Sequence, residues 1–327
     1  MILLLCLKRL NTVWVGFMFD KNLNGFLTEI DRSIPSDLIL ENAPLSDLST
    51  YRVGGPAAVL IKVEKESSFS TILKGLAKFP VPVLIMGNGS NVLISDNGFK
   101  GIVLKLGGFF ETIEIQGTTV KAGAAAKLPV MARETVKFGL SGFEWAVGVP
   151  GSVGGAVRMN AGGHGSDMSA SLIEVTILNL LDGSLLNVPA SELQLSYRHS
   201  CIKSTDLVID ATLKLLTGDR EESERLLKEI VKWRRENQPG GQNSGSVFTN
   251  PEGDSAGRLI EIAGLKGLRI GSAFISEKHA NFIQVDEDGS AEDVRELMSL
   301  VVKKVEEIHS ITLKPETVLV GFDRGSV

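Results

Sequence analysis

The sequence predicts an α+β protein built from more than one compact unit, and three observations carry that reading. Short strands and helices are mixed without a regular strand–helix alternation. Glycine contributes 35 of 327 residues, well above the usual ~7%, and it gathers in two loops. A polar break at 217–223 separates off a last third that reads as its own helix-and-strand unit.

In chain order, AAVLIKV (57–63) reads as a strand. SSFSTILKGLAKF (67–79) follows as a helix with Phe69, Ile72, Leu73 and Leu76 on one face. VLIM (83–86) is a buried strand running into GNGSN. GIVLKL (101–106) is another strand, and ETIEIQGTTVKAG (111–123) is a hairpin about Gly117. Residues 126–139 form a helix with Leu128, Met131 and Val136 among its apolar positions. The richest glycine stretch, 148–165, comes next, then the strands LIEVTIL, LLNV and LVIDATLKL. ERLLKEIVKWRREN is a helix with Leu226, Leu227, Ile230 and Val231 on one side, stopped by QPGG. A short helix (AGRLIEIAG), two strands (SAFI, NFIQV) and a long helix complete the unit. The long helix opens on Ser290-x-x-Asp293, a capping-box-like start. Its apolar face is Val294, Leu297, Met298, Val301, Val305 and Ile308. The expected divisions are an extension (1–17), two halves of a first body (18–80 and 81–216), a second body (217–312) and a closing strand (313–327).

Composition narrows the function. Hydrophobic content is 43% and charged content 22%, ordinary for a soluble globular chain. The net charge is −5 and there is no block of Lys and Arg, which argues against nucleic acid as a partner. Cys6 and Cys201 make no disulfide framework, and His164, His199, His279 and His309 lie in no metal-ligand spacing. No metal is expected, and a reducing cytoplasm fits. The apolar run Met1–Leu7 is too short to span a bilayer, and its positive charges follow it, the wrong order for a signal peptide. Met18 is the nearer functional start, so removal of 1–17 is expected to be harmless. No membrane partner is expected.

The two glycine loops point to a ligand. Gly87-Asn88-Gly89-Ser90-Asn91 leaves a strand, and its N–H groups suit an anion-binding nest. It is no dinucleotide fingerprint, because Val92 stands where the third glycine belongs, and no GK[ST] marks a P-loop. Gly148-Val149-Pro150-Gly151-Ser152-Val153-Gly154-Gly155-Ala156 strips away almost every bulky side chain, as a flat ligand against bare backbone requires. A tight multi-turn connection is the competing reading. In SGSVFTNP (244–251), Ser246 is either part of a turn before a short strand or a hydroxyl held still for chemistry.

Seven stretches in order decide among these: STYRVGGPA (49–57), MGNGSNVLISDNGFKGIV (86–103), GLSGFEWAVGVPGSVGGAVRMNAGGHG (139–165), YRHS (197–200), SGSVFTNP (244–251), AGLKGLRIGSAFISEKHANFI (263–283) and LKPETVLVG (313–321). Together, over about residues 40–321, they resemble the UDP-N-acetylenolpyruvoylglucosamine reductase family of bacterial cell-wall precursor synthesis. The resemblance implies a FAD domain of the vanillyl-alcohol oxidase and p-cresol methylhydroxylase type, followed by an α+β substrate domain. It also implies noncovalent FAD, NADPH as co-substrate and a UDP-sugar substrate. By motif match, Arg198 grips the substrate carboxylate, Ser246 delivers a proton opposite the hydride, and Glu316 supports the intermediate or relays a proton. Cofactor contacts are implied at Tyr51, Gly87, Asn88, Gly89, Ser90, Asn91, Gly123, Gly148, Pro150, Gly151, Ser152, Gly154, Gly155 and Ala156. Substrate contacts are implied at Asn250 and His279. His199 is assigned a structural role, since adjacent residues of an extended chain point to opposite sides and His199-Ser200-Cys201 makes no triad alone.

There are departures from the pattern. Thr249 stands where many relatives carry a basic residue, which leaves the cation for the diphosphate open. Only Tyr51 and Tyr197 are present, both inside other motifs, so the chain resembles the shorter branch without a tyrosine-bearing loop. A monomer or weak homo-oligomer is expected. Two rivals remain: an oxidase of the same flavin fold, which would need another substrate domain, and a noncatalytic FAD or UDP-sugar module, which would not need Arg198, Ser246 and Glu316 together.

Overall fold

The structure, a computed structural model, describes residues 20–31, 33–323 and 327. The extension 1–17 lies outside the described residues.

The first unit is a mixed sheet faced by two helices. Helix α1 (20–30) precedes β1 (Ile39–Pro44), β2 (Pro56–Val63), α2 (Ser67–Lys78), β3 (Val83–Ile85), β4 (Val92–Ile94) and β5 (Phe99–Leu106). The sheet runs β1-β2-β5-β3. β1 is antiparallel to β2, while β2 and β3 both lie parallel to β5. Phe69 and Ile72 of α2 meet Val59, Ile61, Ile102 and Leu104, and Phe26 and Ile30 close the layer. Gly75 lets α1 approach, since a Cβ there would lie 2.8 Å from the Phe26 ring.

The second unit holds β6 (Ile113–Gln116), β7 (Thr119–Gly123), α3 (Leu128–Lys137), β8 (Leu140–Ser141), α4 (Val153–Met159), β9 (Gly162–Gly163), β10 (Ser166–Asp167), β11 (Leu172–Asn179), β12 (Leu185–Pro189), β13 (Asp206–Lys214) and β14 (Leu216–Thr217). Five strands form one antiparallel sheet, β12-β11-β13-β7-β6. The β6–β7 hairpin turns at Gly117, whose φ of +59° only glycine adopts cheaply. Helices α3 and α4 cover the sheet with Leu128, Met131, Val153 and Val157.

The third unit comprises α6 (Ala256–Ile262), β15 (Arg269–Ile270), β16 (Ala273–Ile275), β17 (Ile283–Val285), α7 (Ala291–His309) and β18 (Val318–Val320); α5 (Arg220–Asn237), expected to belong to it, instead packs on the second unit, where Ile230 joins the core of α3 and Val147. Three expectations are corrected here. Helix α5 starts at Arg220 rather than after 223, because Asp219 Oδ1 accepts the N–H groups of Glu221 and Glu222 and caps it. Only half of the capping box at α7 forms. Ser290 Oγ accepts from the amides of Glu292 and Asp293, but the Asp293 carboxylate turns to the Ser272 amide and hydroxyl, both at 2.7 Å. Val294, Leu297, Met298, Val301 and Val305 are buried as expected, whereas Ile308 is 53% exposed near the helix end.

The third unit is not a free-standing body. Tyr51, Val53 and Leu93 share a core with Val247, Phe248, Leu313 and the inner face of α7. β18 returns to pair in parallel with β4.

Candidate active site

The two glycine loops face one another. A Cβ on Gly87 would lie 2.6 Å from Ser152 Oγ. The Asn88 amide reaches Pro150 O at 3.5 Å, and Gly151 approaches Ser90. Gly89 has φ +62°, and a Cβ there would meet Leu48 O at 2.0 Å. Among the described residues, the N–H groups of 87–91 donate to no backbone carbonyl. Such a glycine-only approach with spare donors suits a pyrophosphate, so these residues fit FAD.

The second loop is not bare backbone throughout. Helix α4 begins at Val153, and the Val153 and Gly154 amides bond to Ala126 O and Ala124 O, each at 2.9 Å. Gly154 is glycine because a Cβ would stand 2.9 Å from Ala124 Cβ; it serves helix–strand packing. Gly155, by contrast, is exposed and Ala156 is buried. Three expected cofactor contacts are enclosed by protein. Tyr51 is fully buried in the third-unit core. Gly123 lies against the Phe110 backbone, and Gly148 lies under Ile230 and Arg234 of α5. Each has its close approach taken by protein atoms.

Arg198, Ser246 and Glu316 come from three separate segments; Arg198 and Glu316 meet, and the chain beside Ser246 runs along Glu316. Ser196 and His199 exchange backbone hydrogen bonds at 3.1 Å, making a tight turn with Tyr197 and Arg198 at its tip. Arg198 takes φ +54° there. Its Nε lies 2.8 Å from Glu316 Oε1, and its Nη2 donates to Gly162 O at 3.0 Å. Glu316 N donates to Val247 O at 2.8 Å, which brings the segment of Ser246 alongside. Asn91, from the first glycine loop, donates to Glu316 O at 3.0 Å. Burial raises the Glu316 carboxyl above its usual value, against the opposing pull of Arg198. The Ser246 hydroxyl makes no hydrogen bond among the described residues, and Gly245 before it has φ +80°. The hydroxyl is therefore available to a ligand.

Other expected residues hold structure. Asn250 Oδ1 accepts from Ala256 N at 3.1 Å, at the start of α6. His279 Nδ1 accepts from Asn281 N at 3.2 Å and its ring packs on Phe282. Ser200 Oγ donates to Arg158 O and Cys201 Sγ to Glu192 O, so neither turns to His199.

Two site residues escaped the sequence reading. Asn160, buried at φ +40°, donates to Ser196 O at 2.9 Å and steadies the Arg198 turn. Lys105 donates to Gly87 O at 2.7 Å beneath the first loop. Burial, then repulsion from Lys127, lowers its ammonium pKa. The signal for Asn160 was its place after a glycine-rich helix, where a left-handed asparagine commonly ends a helix.

Comparison with known proteins identifies the family. Residues 57–189 match the FAD binding domain model, and residues 237–320 match the model of the UDP-N-acetylenolpyruvoylglucosamine reductase C-terminal domain. A UDP-N-acetylenolpyruvoylglucosamine reductase of Lachnoclostridium phytofermentans is 38% identical over 304 residues, covering 91% of this chain and 98% of that protein. One from Synechococcus sp. is 42% identical over 298 residues, 88% of this chain and 94% of that protein. The crystal structure of the Thermus caldophilus enzyme superposes with a TM-score of 0.74 at 37% identity, covering 85% of this chain and 97% of that one. With two domain models in order and full-length relatives of this likeness, the chain belongs to the UDP-N-acetylenolpyruvoylglucosamine reductase family.

Proposed function

We propose that the protein reduces the enolpyruvyl group of UDP-N-acetylglucosamine enolpyruvate to the lactyl ether, giving UDP-N-acetylmuramate for peptidoglycan precursor synthesis. The observation that carries the assignment of roles is the meeting of Arg198, Glu316 and the Ser246 segment beside the two glycine loops. When bound, noncovalent FAD supplies hydride transfer from NADPH to the terminal enolpyruvyl carbon. The rest belongs to this chain. Gly87–Asn91 and Gly151–Ser152 would hold the cofactor. Arg198 takes the substrate carboxylate in a fork that stays charged at every working pH. The carboxylate and Glu316 compete for the guanidinium. As Arg198 turns to substrate, the buried Glu316 loses its counter-ion, and its protonated form gains further. Ser246 gives its proton to the carbon next to the carboxylate, and Glu316 supports that transfer. The protein is read as cytoplasmic, as a monomer or weak homo-oligomer; among its described residues no helix is long and apolar enough to cross a membrane.

The test separates the half-reactions. Purified protein should show a flavin spectrum that NADPH bleaches and the enolpyruvyl substrate restores. Ser246→Ala should bleach at the wild-type rate and recolour ~10²–10⁴-fold more slowly, the range of a lost general acid. Ser246→Cys should recover part of that rate. Unimpaired recolouring of the alanine variant removes Ser246 from the mechanism.

A further inference from the structure

Ser246 owes its usefulness to a backbone that does not move, and the source of that rigidity lies outside its own segment. Residues 244–250 belong to no strand of a named sheet. A segment with so little ladder pairing is ordinarily a mobile loop. Yet Val247 and Phe248 are almost fully buried. One edge is fixed by the closing segment: Glu316 N donates to Val247 O at 2.8 Å, and Thr249 N to Lys314 O at 3.0 Å. The other edge has no strand beside it. It has Asn281.

Asn281 is 3% exposed. Its Oδ1 accepts the Phe248 amide at 3.0 Å, and its Nδ2 donates to Phe248 O at 2.8 Å. Its own backbone O accepts the Val247 amide at 2.9 Å. One side-chain amide thus satisfies both polar groups of Phe248, as a neighbouring strand would. No other side-chain type of this size offers a donor and an acceptor in that fork at neutral pH. Asn281 itself sits two residues before β17, whose Ile283 pairs with Ile275. The clamp therefore ties the Ser246 segment to the sheet and α7 core of the third unit.

We infer that Asn281 is a positioning residue of the reductase: it holds the Phe248 peptide so that the Ser246 hydroxyl keeps one approach to the substrate. The inference rests on the reading of Ser246 as the proton donor. Asn281 touches no ligand and acts only through residues 246–248.

The experiment uses the full-length flavin-loaded protein with Ser246→Ala, Asn281→Asp and Asp293→Asn measured side by side. Asp293→Asn is the control, since Asp293 binds Ser272 at the far end of β16 and perturbs the same unit without touching residues 246–248. In Asn281→Asp, an ionised carboxylate keeps the acceptor, loses the donor and opposes Phe248 O. Displacement of a reacting group by about 1 Å costs ~10²-fold in rate, so recolouring by the enolpyruvyl substrate should slow on that order. Bleaching by NADPH and UDP-sugar affinity should stay near wild type. A protonated aspartic acid has one donor and one acceptor like the amide. Burial raises its pKa, so recolouring by Asn281→Asp should recover as pH falls, while the wild type does not. If Asn281→Asp sheds its flavin, Asn281→Ser is read the same way without the pH arm. Equal loss in both half-reactions, matching Asp293→Asn at the same thermal stability, would overturn the inference in favour of a folding role. Wild-type recolouring in Asn281→Asp alongside a slow Ser246→Ala would overturn it too and leave the Ser246 reading intact. A fast Ser246→Ala would instead bring down that reading, and this inference with it.

Discussion

Arg198 shows how much a single residue is held against its own preference. A left-handed conformation costs a non-glycine residue about 1–2 kcal/mol, and Arg198 adopts it at the tip of a two-residue turn. The Asn160 contact to Ser196 and the Glu316 ion pair hold it there. Arg198→Lys should therefore not be conservative. The charge survives but the fork does not, so recolouring slows while bleaching by NADPH is spared; equal damage to both would assign Arg198 to flavin binding or folding. Glu316 gives a stability test. Its folded pKa is raised, mainly by burial, above an unfolded value of about 4.3. In that window the folded state binds the extra proton, so its stabilising contribution is full below the unfolded pKa and is lost as pH rises through the folded one. Glu316→Gln cannot titrate. The melting temperature of Glu316→Gln minus that of wild type should therefore climb as pH rises across the carboxylate range; a flat difference would refute the raised pKa. The motifs singled out Arg198, Ser246 and Glu316, and the structure brings Arg198 and Glu316 into contact. The Arg198–Glu316 ion pair was not legible, because residues 118 positions apart in sequence carry no mark of touching. The packing of Tyr51 was hidden for a related reason: a tyrosine beside glycines reads alike whether or not its ring enters a neighbouring core, as this one does.

At the scale of elements, the sequence placed helices and strands well where apolar periodicity was strong, as in α2, α7 and β13. Boundaries slipped where a side chain chose between partners. Asp219 lengthened α5 by capping it, and Asp293 left Ser290 for Ser272. Helix α4 was hidden because glycines, poor helix formers, occupy two of its seven positions. Their reason is contact rather than propensity, and it yields a prediction. Gly154→Ala improves helix propensity by ~1 kcal/mol, yet it drives a methyl to 2.9 Å from Ala124 Cβ. Overpacking of this kind costs about 1–3 kcal/mol, so the variant should be less stable. It should also carry less flavin per chain, because α4 leads directly out of the loop at Gly151–Ser152. A Gly154→Ala protein with higher melting temperature and full flavin would show that α4 shifts freely on its strand. Gly155 is the comparison: it is exposed, and its Cβ would meet only Ser152 Oγ at 3.6 Å, so Gly155→Ala should follow propensity alone.

At the scale of the whole molecule, the cofactor loops lie in the first two units and Ser246 in the third, so activity depends on how the third is seated. The shared core of Tyr51, Val53, Leu93, Val247 and Phe248 supplies adhesion, but apolar contact is nondirectional. Direction comes from polar contacts that cross the chain. Asp96, two residues beyond β4, caps α7 from outside: Oδ1 accepts the Ala291 amide at 3.0 Å, and Oδ2 accepts the Ser290 hydroxyl at 2.7 Å and the Glu292 amide at 3.1 Å. The carboxylate also sits where the helix dipole favours negative charge. Asp96 is thus an α7 cap borrowed from another unit. Losing a cap costs about 0.5–2 kcal/mol, so Asp96→Ala should lower the melting temperature by a few degrees and leave flavin content unchanged, since the glycine loops keep their contacts. The damage should be local. Amide exchange at Ala291 and Glu292 should quicken, and UDP-sugar affinity should fall more than the NADPH bleaching rate, because only the sugar needs the third unit seated. Asp96→Asn should be milder, keeping one carbonyl acceptor while losing the charge. Loss of flavin in step with stability would show instead that Asp96 organises the β4 turn within its own unit, and that the third unit is aligned by the β4–β18 pairing alone.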